Sequence, residues 1–128
     1  MTNTTHNFIN DPIPTFKEIT DEKERWKAQR AAIRQKILAQ RLIDDTVPLS
    51  YNGNFYGSGD SGYYDKNFGN KEVDDLFSNA IDLFVKIDWY NNEGGGGAII
   101  WNVQTDVMVI DAYWNKTEQV YDMENEVI

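Results

Sequence analysis

Residues 98–103 and 107–114 are two apolar-rich runs in which the larger side chains recur at every second position, with only Gln104-Thr105-Asp106 between them. A period of two is that of a strand with one buried face, and so short a link folds the second strand back on the first. In the first, Ile99, Trp101 and Val103 alternate against Ala98, Ile100 and Asn102, and in the second Met108, Ile110, Ala112 and Trp114 against Val109, Asp111 and Tyr113. A two-stranded hairpin with one apolar face is marginal in water by itself. The rest of the chain has to cover it.

Two segments carry the helical period needed for that cover. In the first, Thr15-Phe16-Lys17-Glu18 reads as a capping box, with Pro14 and Ile19 as a hydrophobic staple, and a helix over 15–44 ends where Asp44-Asp45-Thr46-Val47 precedes Pro48. At 100° per residue, Ile19, Trp26, Ile33 and Ile37 form one apolar line and Ala31, Leu38 and Leu42 a second. Between them Lys23, Lys27, Arg30, Arg34 and Arg41 make a basic ridge, either flanking the core with heads in water or paired to the acidic body, or contacting phosphates. The second helix, 71–88, is capped by Asn70 and buries Val73, Leu76, Phe77, Ala80, Ile81 and Phe84; Asp74, Asp75, Ser78 and Asp82 form its solvent stripe.

A further strand is expected over 47–56, from Leu49, Tyr51 and Phe55 alternating with Ser50, Asn52 and Asn54, although Asn52-Gly53 would also suit a tight hairpin. Residues 57–70, rich in Gly, Ser, Asn and Asp, read as an irregular loop, 91–97 as a glycine-rich connection, and 115–128 as polar with room for a short edge strand. The class that results is α+β: a long N-terminal helix and one more helix packed on a three- to four-stranded, mainly antiparallel sheet. If 47–56 pairs with 107–114, the strand order is 1-3-2 and Pro48 lies on an edge.

The 128 residues fit a single domain, 15–128, behind a flexible arm at 1–14. Its net charge of −9 is uneven: 15–44 carries eight Lys/Arg against five Asp/Glu, and 45–128 carries four against fifteen. So acidic a body repels a nucleic-acid backbone and attracts a basic protein surface. Without cysteine there is no disulfide framework or thiolate metal site, no apolar run is long enough to span a membrane, and the start lacks a secretory signal. A cytoplasmic location, no membrane association, no metal and no cofactor are the expectations.

The stretch Tyr56-Gly57-Ser58-Gly59-Asp60-Ser61-Gly62 overlaps two known signatures. As the surroundings of a trypsin-like nucleophile it would need a histidine base, and the only histidine, His6, lies in the arm. As a G-x-G-x-x-G phosphate cradle it would need a helix straight after the last glycine, whereas Tyr63 to Gly69 intervene and Asp60 would repel the phosphates. Both readings are rejected, and no catalytic residue is assigned. Asp60, Asp65, Asn67 and Glu72 do not follow calcium-loop spacing either. A compact turn remains, with glycines that permit positive φ.

Phe55 to Gly62, a following helix, Trp89-Tyr90-Asn91-Asn92-Glu93-Gly94 and a terminal hairpin together resemble a group of small acidic proteins of unknown function from bacteria, plasmids and phages, over residues 47–120. The shared features are aromatic-x-G-S-G-D-S-G and a later W-x-N-N-E-G. Relatives often follow the last strand with His-Asn; here Trp114-Asn115-Lys116 stands there. The resemblance carries no chemistry. Its occurrence on mobile elements, with the charge, implies a non-enzymatic inhibitor of a host nucleic-acid-handling defence complex, anti-CRISPR-like, with carboxylates in place of phosphates. Its partner would be a basic protein surface, with no direct binding of nucleic acid. The residues expected to meet it are Asp60, Ser61, Asp74, Asp75, Asp82, Glu93, Arg30 and Arg34, and the long helix is a candidate surface for a homodimer. The alternative is a small-ligand domain or enzyme using the glycine-rich loops 57–62 and 91–97 through Asp60, Ser61, Asn92 and Glu93. A direct crossover by the second helix would leave those loops at opposite ends of the sheet.

Overall fold

The computed structural model describes residues 16–58, 61–66, 70–86, 93–115 and 119–128. In chain order they form α1 (Glu22–Ile43), β1 (Ser50–Ser58), β2 (Ser61–Lys66), α2 (Lys71–Phe84), β3 (Gly95–Asn102), β4 (Val107–Asn115) and β5 (Gln119–Val127). All five strands belong to one antiparallel sheet of order β2-β1-β3-β4-β5. The α+β class holds, and the sheet is wider than the three or four strands expected.

Helix α1 starts later than the capping box at Thr15 implied. Phe16 has φ 56°, in the left-handed region, and the cap is Asp21, whose side chain accepts from Glu24 N–H at 2.9 Å. Asp21-x-x-Glu24 is a capping box as good as Thr15-x-x-Glu18, and it wins. At the other end Asp44 leaves helical geometry and its carboxylate accepts from Thr46 N–H and Oγ1; these bonds hold its pKa below the usual carboxylate value. Trp26, Arg30, Ile33, Ile37 and Gln40 form the buried stripe. Of the second apolar line, Ala31 and Leu42 are exposed.

Strand β1 runs straight through Asn52-Gly53 as one strand. Its partner is β3 rather than the 107–114 strand, so the 1-3-2 order is corrected to β1-β3-β4, and Pro48 precedes β1, which is an interior strand. The expected irregular loop after Gly57 contains β2, paired with β1 from Ser58↔Ser61 to Gly53↔Lys66. The glycine-rich connection is also partly strand, since Gly95 to Gly97 pair on both sides. Helix α2 ends at Phe84 instead of residue 88.

Both helices lie on one face of the sheet. Trp26 donates through Nε1 to the Leu76 carbonyl at 2.9 Å and meets the Phe84 ring edge-on at 5.2 Å, which locks α1 to α2. The helices bury Ile33, Ile37, Val73, Leu76, Phe77 and Ala80 against Tyr51, Ile99, Trp101, Met108 and Ile110 of the sheet. The alternation read from the sequence therefore sorts β3 and β4 correctly between the two faces. Burial pushes the Tyr51 hydroxyl up to about 12, and raises Tyr64 as well. Among the described residues no helix is long and apolar enough to cross a membrane.

Candidate functional site

Strand β2 decides where the glycine-rich segments go. By returning along β1 it carries the chain back to the end where β1 begins, and α2 then climbs to the end where the β1–β2 hairpin turns. Strand β3 therefore starts beside that hairpin, with Gly57 opposite Gly95. Gly94, at φ 81°, packs so closely that a Cβ on it would stand 1.9 Å from the Gly57 carbonyl oxygen. The two segments that a direct crossover would have separated meet at one end of the sheet.

The face of the sheet turned away from the helices is half aromatic at this end. One cross-strand row reads Tyr63, Tyr56, Gly96, Tyr113, Tyr121 over all five strands. Tyr56 and Tyr63 stack with centroids 5.5 Å apart, and Tyr113 and Tyr121 pair at 5.4 Å. The Tyr56 hydroxyl donates to Asp65 Oδ2 at 3.1 Å, and that bond and the carboxylate charge raise its pKa. The next row is Asp65, Asn54, Ala98, Asp111. Between the rows lies a groove of about 330 Å³ lined by Asn54, Tyr56, Ala98, Asp111, Tyr113 and Tyr121. Tyr63, Tyr56 and Tyr121 are 58%, 43% and 47% exposed, high for aromatic residues on regular strands.

The residues expected to meet a partner do not converge. Asp60 lies outside the described residues, as do His6, Asn67 and Asn92; Ser61 pairs with Ser58 where β2 begins. Glu93 is exposed in the turn before β3. On α2, Asp75 accepts from Lys71 Nζ at 2.9 Å, Asp74 is half-buried, and Asp82 is exposed on the rim of a groove between the helices, eight residues and about 12 Å along the axis from Asp74.

Arg30 and Arg34 are together, at the opposite end of the sheet, and face inwards. Arg30, 8% exposed, donates from Nε to Asp106 Oδ1 at 3.0 Å, from Nη2 to the Asp106 carbonyl at 2.7 Å and from Nη1 to the Ile128 carbonyl. Arg34 donates to the Val103 and Gln104 carbonyls at 2.7 and 2.8 Å, and Arg41 to Val47 at 2.8 Å. Of the readings of the ridge, Arg30 follows the one that pairs it to the acidic body, through Asp106, and Arg30 and Arg34 together hold the β3–β4 turn, where Asp106 sits at φ 56° and its peptide groups need outside partners. Lys23 lies over the Phe84 ring and Lys27 pairs with Glu24 in water.

Among the described residues no three His, Asp or Glu come together as a metal-ligand set. The glycines at 57 and 62 lie on two antiparallel strands instead of leading into a helix. Sequence reasoning missed the tyrosine row; the one local signal was an aromatic residue on each of the four strands that flank β3. Compared with protein-family models, curated proteins and solved structures, the chain matches none.

Proposed function

We propose that this protein is a non-enzymatic, acidic interaction protein that engages a basic protein surface of a nucleic-acid-handling complex. Its carboxylates stand where phosphates would lie, as in a phage or mobile-element inhibitor of a host defence complex of the anti-CRISPR kind. One observation carries the reading. The guanidinium groups of Arg30, Arg34 and Arg41 are turned onto main-chain carbonyls, while Asp75, Asp82, Asp122, Glu124 and Glu126 are exposed. The basic segment 15–44 thus has three of its guanidinium groups engaged within the molecule, and the acidic field dominates encounter. Neither a nucleic acid nor a membrane is a partner in this reading.

The test is capture of a partner from bacterial lysate on the immobilised protein at two salt concentrations. Retention at low salt and release near 0.5 M, where the Debye length is about 4 Å, is the expected result. Retention indifferent to salt would contradict it.

A second reading has its own support in the meeting of the glycine-rich segments, Gly57 against Gly94 and Gly95. That end of the sheet would then hold a small ligand. Native mass spectrometry separates the two: the mass of the chain alone is expected, and an added small-molecule mass would favour the ligand.

A further inference from the structure

We propose that the tyrosine-walled groove on the outer face of the sheet is a cage for one arginine side chain of the partner; this rests on the acidic-interaction reading and adds to it the place where contact is made. The walls come from register. Tyr56 and Tyr113 oppose each other across Gly96, and Asn54 and Asp111 oppose each other across Ala98, one step further along the same strands. β3 contributes no side chain at one position and a single methyl at the other, so the floor is low and the flanking side chains stand above it. Opposed walls are two strand spacings apart, about 9.6 Å, and a flat group midway lies about 4.8 Å from each, inside the ~6 Å reach of a cation–π contact.

The rings are held before anything binds. Tyr63 covers one face of Tyr56 at 5.5 Å with planes 26° apart, and Tyr56 is tied at its hydroxyl to Asp65. Tyr121 braces Tyr113 on the other side at 5.4 Å. Ordered walls spare the complex much of the entropy cost of fixing side chains on binding.

Charge selects the occupant. Asp111 lies in the groove wall, positioned by the Asn125 N–H that its Oδ1 accepts, and Asp65 lies beyond Asn54 in the same row. A neutral ring would gain the stacking and nothing from the carboxylates. Guanidinium is planar, weakly hydrated, able to stack on phenol faces and able to fork onto a carboxylate, so both halves of the groove suit it. Arginine is also over-represented where a protein holds phosphate by paired hydrogen bonds.

The experiment is a ¹⁵N-correlation titration of the purified protein with N-acetyl-arginine amide and, in parallel, with the neutral isostere N-acetyl-citrulline amide. Saturable shifts at the Ala98, Asp111 and Tyr113 amides are expected with arginine, and binding of citrulline at least about fivefold weaker. Tyr113→Phe should bind arginine as the parent does, Tyr113→Leu about fivefold more weakly, and Asp111→Asn, which keeps the acceptor for Asn125, more weakly by a similar factor. Equal binding of the two probes, shifts confined to Asp74, Asp75 and Asp82, or no saturable shift would overturn the cage. If such a result came with salt-sensitive capture that Tyr113→Leu leaves intact, the groove alone would be lost and the interaction reading would stand.

Discussion

Arg30 and Trp101 share one acceptor: Asp106 Oδ1 lies 3.0 Å from the guanidinium Nε and 3.0 Å from the indole Nε1. The guanidinium also stacks 5.5 Å from the Trp26 ring and 6.0 Å from Trp101. Helix α1 is thereby fastened to the β3–β4 turn by a charge that water barely reaches. Arg30→Glu places a second carboxylate beside Asp106 and leaves two main-chain carbonyls without their donor. A loss of about 3–5 kcal/mol in urea unfolding is expected, against about 1 kcal/mol for Arg34→Ala, whose site is nearer water. If the Arg30→Glu protein unfolds at the parent midpoint, this fastening has no energetic weight.

Apolar burial on the same helix should depend on which face a residue takes. Trp26 is 1% exposed and Leu42 is 90% exposed, although both are large apolar residues of α1. Trp26→Ala is expected to cost about 3–5 kcal/mol, and Leu42→Ala under about 0.5 kcal/mol. Comparable losses in thermal unfolding of the two variants would mean that α1 does not dock through this face.

Alkaline stability follows from Tyr51. Its hydroxyl is pushed up to about 12 by burial, above the 10.0 it returns to on unfolding. In that window the unfolded chain has released a proton that the folded chain still holds, so stability is whole below about pH 10 and falls as pH rises towards 12. Unfolding followed by far-UV circular dichroism should move to lower denaturant concentration over this range. Tyr51→Phe should lessen the dependence, the raised Tyr64 keeping the rest, and an unchanged slope in that variant would take Tyr51 out of the account.

The legible parts of the fold were those where one face is apolar and the other is not. Ile99, Trp101 and Val103, or Val73, Leu76 and Phe77, announce a buried side whatever they pack against. Strand β2 does not: among Gly62, Tyr63, Tyr64 and Asp65 only Tyr64 is partly buried against the core, and the segment becomes a strand by pairing with the edge of β1. The same holds for Gly95 to Gly97, where a Cβ would fall 1.9–2.2 Å from main-chain oxygens of β1 or β4, so the tight approach of neighbours, invisible locally, makes glycine necessary. The candidate site was less legible still. Asp75 and Asp82 were readable as exposed, though Asp74 of the same stripe is half-buried, and nothing local to Tyr56 or Tyr113 says that Gly96 separates them.

The most direct test of the central claim is competition between duplex DNA and this protein for the captured partner. If the carboxylates occupy a phosphate-binding surface, DNA should release the partner in proportion to its concentration, and the protein should displace DNA from the same partner in a fluorescence-anisotropy titration. A stable ternary complex, in which partner, DNA and this protein elute together with the anisotropy undiminished, would contradict the account.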